Sequence, residues 1–457
     1  MYLLYSLLLT IGLIALLPRF LYDALRHGKY VEGLRERLGQ LPDIDAGQRP
    51  VIWLHCVSVG ETQAARPLAR ALLAEFPTHA LVVSTITRTG QRVAREVFGQ
   101  SAAAIFYFPF DWAWSVRRAL RAVKPSAILI METELWPNFL REAGRRGIPV
   151  ALVNGRLSEA SFRRYKLLGR FISRIVGELS LALMQSEADA GRIRVLGLAP
   201  ERVTVSGNVK FDAGASVDEQ ELSSRLAARF HFGTERPLIV AASTHVPEER
   251  IMLEAFRRLR TGGGGTASLA RLLIAPRHPE RFNEIAALLD SSGLTWARRS
   301  SPPRAHDATC DVILLDSIGE LRAVYPLASL VFVGGSIAPT GGHNVLEPAA
   351  VGACVVTGAH TFNFTAIMKA FLEAGALLQL PPVAEEEAPA HLARVFAALL
   401  ADDEGRRALG ESARAVVEQN RGATERTVKL LKPLLSTPEG SNRLGRYDGA
   451  RSDALSA

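Results

Sequence analysis

Cysteine, the residue that forms disulfides and many zinc sites, is scarce in this sequence. Its 457 residues include only three cysteines, Cys56, Cys310 and Cys354, which are odd in number and far apart. This pattern excludes a disulfide framework and a cysteine-rich zinc site, and it indicates a reducing compartment. Hydrophobic residues make up 48% of the chain and charged residues 22%, which excludes a disordered protein. The length predicts two or three domains.

The N-terminus lacks the features of a cleaved signal peptide. No basic residue precedes the apolar run Met1–Leu17, and no small-x-small cleavage site follows it. The run is slightly shorter than the ~20 residues that a membrane-spanning helix prefers, although tilt makes spanning feasible. We predict that residues 1–28 form a helix that anchors the chain to a membrane or lies in its interface. A first helix that is buried against the protein is the alternative.

Charge predicts the side of the membrane and the class of partner. Arg19, Arg26 and Lys29 follow the apolar run, so the positive-inside rule predicts that the rest of the chain is cytoplasmic. The net charge of +8 favours an acidic partner. Because of the apolar N-terminus, we expect that partner to be a membrane surface rather than nucleic acid.

Short apolar runs alternate with segments of helical spacing along most of the chain. One series extends from "VIWLHCV" at Val51 to "VTVSGN" at Val203, and a second from "PLIVAAST" at Pro237 to "ACVVTG" at Ala353. Such alternation is typical of parallel sheets covered by helices. We predict an α/β fold with two Rossmann-like domains, 29–212 and 213–434, that face a cleft and bind ligands at the carboxyl ends of their strands. Residues 435–457 lack apolar periodicity and are predicted to be disordered.

Glu61 follows the first predicted strand through the turn Ser58-Val59-Gly60 and begins a helix. At a helix start, the dipole and the free N–H groups favour the ionised carboxylate. One interpretation is that Glu61 only stabilises its own helix. The glycine before it and the neighbouring polar strand ends favour a second interpretation, in which Glu61 is a general base toward a hydroxyl group.

Other polar residues follow later strands of the first series. "METELWPN" places Glu132 and Glu134 after a buried strand, and both side chains point the same way if the strand continues. Helix-start acids ahead of Pro137 are the alternative reading. "GNVKFD" places Lys210 at the end of the last strand, where we expect it to meet a phosphate.

A basic segment, "SEASFRRYKLLGRFISRIV", has the spacing of one amphipathic helix. Its cations fall on one face and are Arg163, Lys166, Arg170 and Arg174. Such a helix is typical of contact with anionic lipid or a phosphorylated amphiphile, and an ordinary solvated face is the alternative.

The second series carries polar segments after three of its strands. Arg277 and His278 follow one strand in "APRHPER", and Gly319 and Glu320 follow another in "DSIGEL". A glycine-rich loop in "GGSIAPTGGHNVLEPAA" joins a strand to a helix. Because N–H groups at helix starts bind phosphate and a carboxylate such as Glu347 binds ribose hydroxyls, this combination resembles the nucleotide-sugar site of two-domain glycosyltransferases.

Taken together, these motifs resemble one family, the 3-deoxy-D-manno-octulosonic acid (Kdo) transferases of Gram-negative bacteria. The resemblance extends from about Tyr30 to beyond Thr361. The motifs that carry it are "YVEGLRERLG", "HCVSVGE", "METELWPN", "VNGRLSEASFRRY", "GNVKFD", "APRHPER", "DSIGEL" and "GGSIAPTGGHNVLEPAA". "HCVSVGE" departs from the family in having Cys56 and Val57 where small residues are expected.

The resemblance implies a GT-B type glycosyltransferase at the cytoplasmic face of the inner membrane. It implies CMP-Kdo as donor, the tetraacylated lipid A precursor as acceptor, and inversion at the anomeric carbon. By matching motifs, Glu61 is the general base, and Glu132 and Lys210 stabilise the transition state. The matching CMP-binding residues are Arg277, His278, Ile318, Gly319, Glu320, Asn344, Val345, Leu346 and Glu347. The residues that we expect to contact the acceptor are Ser58, Gly60, Arg88, Glu134, Arg156, Arg163 and Lys166.

No cofactor or metal is expected. The Asp-x-Asp pair that metal-dependent transferases place after a strand occurs only as Asp43-Ile44-Asp45, in a polar loop before the first strand. Two other functions stay open: a lipid glycosyltransferase that uses a UDP-sugar, and a membrane-attached nucleotide-binding protein without catalysis. No motif indicates the number of Kdo residues transferred or the oligomeric state.

Overall fold

A computed structural model describes residues 1–27, 33–212, 217–233, 236–262 and 265–436, with only the backbone given for residue 17, residues 19–27 and residues 217–218. The chain divides into two compact units. The first comprises Met1–Asp212 together with the chain from Arg421 onward, and the second comprises Ala213–Asn420.

Fourteen strands in the described residues form two sheets. The strands of the first unit are β1 Val51–His55, β2 Ala80–Thr85, β3 Ala102–Tyr107, β4 Pro125–Met131, β5 Val150–Gly155, β6 Leu181–Met184 and β7 Val203–Val205. Those of the second unit are β8 Leu238–Thr244, β9 Arg271–Pro276, β10 Trp296–Arg298, β11 Val312–Leu314, β12 Leu330–Val333, β13 Val355–Thr357 and β14 Leu378–Gln379.

The helices connect these strands. Up to the end of the first sheet they are α1 Tyr2–His27, α2 Leu34–Arg37, α3 Val59–Glu75, α4 Arg88–Phe98, α5 Ala113–Val123, α6 Pro137–Gly144, α7 Glu159–Lys166, α8 Arg170–Val176 and α9 Glu187–Val195. After it they are α10 Val217–Phe230, α11 Glu248–Gly262, α12 Phe282–Asp290, α13 Leu321–Val324, α14 Leu346–Ala350, α15 Thr365–Glu373, α16 Ala388–Ala401, α17 Asp403–Asn420 and α18 Ala423–Leu435.

Both sheets have seven strands that pair in parallel. The first has the order β3-β2-β1-β4-β5-β6-β7, and the second β10-β11-β9-β8-β12-β13-β14. The register brings Trp53 of β1 beside Val82 of β2 and Ile128 of β4. Because all strands of a sheet run the same way, the segments that follow them meet at one edge. The predicted α/β class with two parallel sheets is therefore confirmed.

Each sheet is buried on both faces. In β1, Trp53 packs in one apolar cluster with Ile128, whereas Ile52 and Leu54 pack in another with Leu129. Successive side chains of a strand point to opposite faces, so a strand covered on both sides needs a continuous apolar run. This is why Val51–Leu54 of β1 are four consecutive apolar residues. All five residues of the strand are buried, including His55.

The end of the chain returns to the first unit, which corrects the predicted domain 213–434. Asp212 accepts hydrogen bonds from the backbone N–H groups of Gly422, at 2.7 Å, and Thr424. Val428 and Leu431 of α18 belong to the apolar cluster on one face of the first sheet. The helical periodicity of α18 was visible in the sequence, but the sheet that it covers was not. Residues 437–457, most of the predicted disordered tail, lie outside the described residues.

Helix α1 packs on the first unit by one face and exposes the other. Ser6 Oγ accepts a hydrogen bond from Asn138 Nδ2 at 3.0 Å, and Thr10 Oγ1 accepts one from Trp112 Nε1 at 3.0 Å. The opposite face exposes Leu3, Leu4, Leu7, Leu8, Ile11 and Ile14. Within the described part of the chain, no helix is both long and apolar enough to cross a bilayer.

Candidate active site

Glu61 lies in the first turn of α3, where its carboxylate is bound by the loop that precedes the helix. One oxygen accepts a hydrogen bond from the Val57 backbone N–H at 2.8 Å, and the other accepts one from Ser58 Oγ at 2.8 Å. Ser58 Oγ in turn accepts from the Glu61 N–H at 3.3 Å. These reciprocal hydrogen bonds fix the side chain, so Glu61 does cap its own helix, as the first interpretation proposed.

Capping does not account for the electrostatics of Glu61. Its side chain is buried, and burial together with the nearby charge of Glu132 raises its pKa to about 7. The hydrogen bonds from Val57 and Ser58 oppose this shift without cancelling it. The helix-start groups thus favour the ionised form, as expected, but desolvation and the charge of Glu132 outweigh them. A carboxyl group with a pKa near 7 has the proton affinity that a general base needs at neutral pH.

Glu132 forms an ion pair with Lys210 directly beside Glu61. Lys210 Nζ lies 2.8 Å from Glu132 Oε1, and both side chains are about a quarter exposed. Strand β4 ends at Met131, and Glu132 adopts a left-handed backbone with φ of 54°. The strand therefore does not continue through Glu134, as one reading of the sequence assumed, and it is this turn that directs Glu132 toward Lys210.

Glu134 joins the same cluster of acids. Burial and, to a smaller extent, the charge of Glu132 raise its pKa to about 7. Helix α7 lies close by, since Glu134 also raises the pKa of Tyr165. The structure thus gathers three carboxyl groups and one lysine at the carboxyl edge of the first sheet. Two of the three carboxyls hold protons at neutral pH readily, which suits a site that binds and deprotonates hydroxyl groups.

Two asparagines, from the polar strand ends "NGRLS" and "GNVKFD", bind the backbone at Lys210. Asn154 Oδ1 accepts a hydrogen bond from the Val209 N–H at 3.1 Å, and Asn208 Oδ1 accepts one from the Lys210 N–H at 3.0 Å. Asn154 is fully buried at the end of β5 and has φ of 53°. Non-glycine residues in this conformation concentrate at functional sites. Its position at the end of the apolar run "VALVNG" marks it in the sequence as a polar strand-end residue, although its contact with Val209 could not be predicted.

The remaining predicted acceptor residues lie on neighbouring segments of the same edge. Gly60 is in the first turn of α3, and Arg88 begins α4. Arg156 follows β5, and its backbone is held by Thr133, whose hydroxyl accepts the Arg156 N–H at 3.1 Å and donates to the Arg156 carbonyl. Thr133 therefore ties the loop of Glu132 to the loop of Arg156.

The basic segment is not one helix, contrary to the prediction. Helix α7 ends at Lys166, and α8 begins at Arg170 after Gly169, whose φ is 51°. Arg163 pairs with Glu159 on the exposed surface of α7 at 2.6 Å. The apolar residues of α8 are buried in the core, whereas Leu167 and Leu168 in the turn are exposed. Arg163 and Lys166 are thus surface residues of a short helix, separated from Arg170 and Arg174 by a turn.

In the second unit, the predicted nucleotide-binding segments follow adjacent strands. Arg277 and His278 follow β9 and are exposed, the segment Ile318–Glu320 follows β11, and the segment Asn344–Glu347 leads into α14 after β12. Ile318 is 79% exposed, which is unusual for a large apolar side chain. These strands and β8 are consecutive in the order β11-β9-β8-β12, so the three segments share one edge of the sheet.

Contacts within these segments define their shape. Asn344 Oδ1 accepts a hydrogen bond from the Leu346 N–H at 3.1 Å, and its Nδ2 donates to Glu347 at 3.3 Å. Burial raises the pKa of Glu347. Glu320 forms an ion pair with Arg299 at 2.9 Å and accepts a hydrogen bond from Ser317. Val345 and Leu346, which were also predicted to bind CMP, are buried.

The first part of the glycine-rich loop is not an open phosphate cradle. Its N–H groups at Gly335, Ser336 and Ile337 all donate to the buried carboxylate of Glu248, at 2.7 to 2.9 Å. The N–H of His245 donates to the same carboxylate at 3.0 Å. An internal anion therefore occupies the place that the sequence suggested for a phosphate. Glu248 was missed because nothing in a helix-start glutamate reveals which distant loop it will bind.

Within the described ranges, no three histidine, cysteine, aspartate or glutamate side chains are grouped so that they could hold a metal ion. The roles of the catalytic and binding residues, and the independence from metal, stay predictions at this point. The edge of the first sheet carries three carboxyl groups and Lys210. The edge of the second sheet carries Arg277, His278 and the residues at the start of α14.

Comparison with known proteins identifies the family. A family model described as 3-deoxy-D-manno-octulosonic-acid transferase (kdotransferase) matches residues 32–213. The 3-deoxy-D-manno-octulosonic acid transferase of Haemophilus influenzae is 36% identical over 407 residues, which cover 89% of this chain and 92% of that protein. The enzyme of the same name from Bordetella pertussis is 37% identical over 387 residues, covering 84% of this chain and 87% of that protein.

A solved structure extends the comparison to the fold. UDP-GlcNAc 2-epimerase from Neisseria meningitidis, bound to UDP-GlcNAc, aligns with 84% of this chain and 100% of its own, with a TM-score of 0.57 and 14% identity. This likeness concerns the fold alone, which is that of GT-B type glycosyltransferases. Because its similarity to the two bacterial enzymes covers most of both sequences, the chain belongs to the 3-deoxy-D-manno-octulosonic acid transferase family and is a glycosyltransferase.

Proposed function

We propose that this enzyme transfers Kdo from CMP-Kdo to a hydroxyl group of the tetraacylated lipid A precursor, with inversion and with release of CMP. The observation that carries the proposal is the cluster of Glu61, Glu132 and Lys210, in which a carboxyl group of pKa about 7 is fixed beside an ion pair. The carboxyl groups of this edge suit a neutral hydroxyl substrate, and Lys210 provides the positive charge.

In the proposed reaction, Glu61 accepts the proton of the acceptor hydroxyl while its oxygen attacks the anomeric carbon of Kdo. The bond from that carbon to the phosphate oxygen breaks, and the electron pair stays on the oxygen of the departing CMP. Lys210 and Glu132 stabilise the charge that develops, by electrostatic preorganisation. Because Val57 and Ser58 hold the Glu61 carboxylate, its lone pairs are oriented before substrate binds.

The second unit supplies the donor site in this proposal. Arg277 and His278 are exposed next to Asn344 and Glu347, and the charge of Arg277 acts on Glu347. A guanidinium group binds phosphate, and a buried carboxylate with a raised pKa can accept hydrogen bonds from ribose hydroxyls. Ile318 offers an exposed apolar surface of the kind on which a pyrimidine ring can pack.

Mass spectrometry of the lipid product tests the function. Purified enzyme incubated with CMP-Kdo and the tetraacylated precursor is expected to yield lipid whose mass increases by one or more Kdo residues, and the increase gives the number transferred. Calorimetric titration is expected to show tighter binding of CMP than of UDP. Preferential UDP binding with no product from CMP-Kdo would instead support the UDP-sugar alternative. CMP binding without any transfer would support the non-catalytic alternative.

We propose further that the enzyme works at the cytoplasmic face of the inner membrane, with α1 lying in the interface. The support is the exposed face of α1, where Leu3 is 86% and Ile14 62% exposed although polar residues of the opposite face bind the protein. Tyr2 of α1 packs on Phe171 of α8, and the charges of Arg141, Arg145 and Arg174 act on Tyr2. Apolar residues beside cations favour binding to anionic lipid.

Substitution of this face is expected to weaken membrane binding. The triple variant Leu3→Ser, Leu7→Ser, Ile14→Ser should bind vesicles of phosphatidylethanolamine and phosphatidylglycerol about tenfold more weakly than wild type in a sedimentation assay, because apolar area is lost. The matched control is Val195→Ser, Leu269→Ser, Leu372→Ser, which changes three exposed apolar residues elsewhere. Equal binding by the α1 variant and the control would contradict the interfacial role of α1.

A further inference from the structure

Two histidines that the sequence analysis did not select form a direct pair in the second unit. His245 follows β8, and His343 lies in the loop that follows β12. Their Nε2 atoms are 2.8 Å apart, and the ring centroids are 5.0 Å apart with 8° between the ring planes, so the two rings meet edge to edge. At this distance one Nε2 carries the proton and donates it to the other, so the contact fixes the tautomer of both rings.

The pair touches a residue of the predicted donor site. His278 packs edge-on against His245, with centroids 4.9 Å apart and 84° between the planes. Burial and the neighbouring Arg277 and His278 lower the pKa of both rings, that of His343 to about 3. Both rings are therefore neutral at pH 7. The ring that accepts through Nε2 has its own proton on Nδ1, where it is available to a ligand.

Glu248 locks the two loops that carry the pair. Its carboxylate accepts from the N–H of His245 in one loop and from three consecutive N–H groups, Gly335 to Ile337, in the other. Glu248 is fully buried. Such a junction holds the two imidazoles in place before any ligand arrives, which reduces the entropy that binding would otherwise lose.

The charges around the pair leave a net attraction for anions. The carboxylate of Glu249 in the same helix start is neutralised by Arg281, at 2.7 Å. Glu248 is engaged by four N–H groups, as described above. In the described part of the chain, the guanidinium of Arg277 has no hydrogen-bonded or ion-paired carboxylate, although its charge acts on both His245 and His343.

We propose that His245 and His343 act as one unit that binds the phosphate of the donor. The proposal rests on the proposed function, and it adds two ligand-binding residues to that donor site. When the bond from the anomeric carbon to oxygen breaks, the phosphate changes from a singly charged diester to a monoester with a second negative charge, which the oxygen acquires with the electron pair. Both side chains are only partly buried. In the proposal, the Nδ1–H of the accepting ring donates to a phosphate oxygen, and this hydrogen bond strengthens as the charge grows.

Paired titrations of the full-length protein test this role. Glutamine keeps a polar group near the Nε2 position and has none at Nδ1, so His245→Gln with His343→Gln removes the proposed phosphate contact and retains a contact between the two side chains. The double variant is expected to bind CMP about tenfold more weakly than wild type, the value of one hydrogen bond to a charged group. Cytidine, which lacks the phosphate, should bind wild type and variant equally.

The comparison of two ligands on one variant separates a phosphate contact from general damage. His391→Gln on α16 is the matched control and should bind both ligands as wild type does. Equal weakening of CMP and cytidine would assign the pair a purely structural role and overturn the proposal, and so would unchanged CMP binding. A wild-type protein that binds neither ligand would contradict the proposed donor itself. The single variants identify which Nδ1 makes the contact.

Discussion

Glu61→Gln is expected to lower the rate of Kdo transfer at pH 7.5 by about 100-fold or more, the contribution of a positioned general base. Glutamine is isosteric and can still accept the Val57 N–H, so the start of α3 is retained while the proton acceptor is lost. The measurement is single-turnover transfer from CMP-Kdo to the lipid precursor. Binding of CMP should be unchanged, because the predicted CMP residues belong to the other unit.

Although Glu61→Gln should lower activity, it is expected to increase the stability of the folded protein at high pH. The pKa of Glu61 is raised from 4.5 to about 7 in the folded protein, so the folded state disfavours the ionised form. The cost is absent below pH 4.5 and grows to its full value above pH 7. Relative to wild type, Glu61→Gln should therefore gain up to about 3 kcal/mol between pH 5 and pH 8.5. Thermal unfolding at both values of pH measures this difference.

A neighbouring variant provides the control for the role of Glu61. Glu134→Gln removes a charge that raises the pKa of Glu61 and leaves the base in place. The rate of the wild-type enzyme should rise with pH through about 7, and in Glu134→Gln this rise should move to lower pH. Transfer by Glu61→Gln at a wild-type rate, or a pH profile that Glu134→Gln leaves unchanged, would contradict the assignment of Glu61 as base.

The strands could be predicted from sequence because burial on both faces demands continuous apolar runs. Runs such as "AILIM" in β4 have no other plausible reading between helical segments. The strands that we missed, β10 and β14, have three and two residues and lie at the two edges of the second sheet. Segments so short carry no periodicity, and only pairing with a neighbour defines them.

The residues of the site could be predicted from the sequence, but the contacts between them could not. Glu61, Glu132 and Lys210 could be selected because strand ends of a parallel sheet converge, and the structure does bring these three together. Glu132 has a positive φ and pairs with Lys210, and the next residue, Thr133, is hydrogen-bonded to the backbone of Arg156 after β5. Long-range contacts of this kind leave no trace in local sequence.

The predictions for the basic segment and for α18 were wrong for the same reason, because tertiary packing decided what the local sequence left open. Gly169 ends the regular spacing of the basic segment, and its φ of 51° turns the chain between α7 and α8. A glycine inside a helical pattern is compatible with either a continuous helix or a break, and tertiary packing decides. Helix α18 likewise has a clear apolar face, but whether that face covers the first or the second sheet depends on Asp212, more than 200 residues earlier.

Lys210→Met is expected to reduce the rate of transfer by about 100-fold, because it removes the cation that offsets negative charge at the site of Glu132 and Glu61. Methionine preserves the length and most of the volume of the side chain, and the backbone anchors at Asn154 and Asn208 do not involve the amino group. The loss should therefore appear in the turnover rate, with little change in CMP affinity.

Lys210→Arg is the matched variant, since it keeps the charge. Its guanidinium is larger, so we expect it to recover only part of the lost rate, about tenfold, through an ion pair with Glu132 of altered geometry.

The double variant Lys210→Met, Glu132→Gln removes both partners and no longer leaves an unpaired carboxylate, so it should regain thermal stability relative to Lys210→Met and remain slow. If the double variant recovered the wild-type rate, the ion pair would serve only to neutralise Glu132. If Lys210→Met itself transferred Kdo at the wild-type rate, the lysine would have no part in stabilising the transition state. A slow double variant with restored stability is the result that separates catalysis by Lys210 from its contribution to the fold.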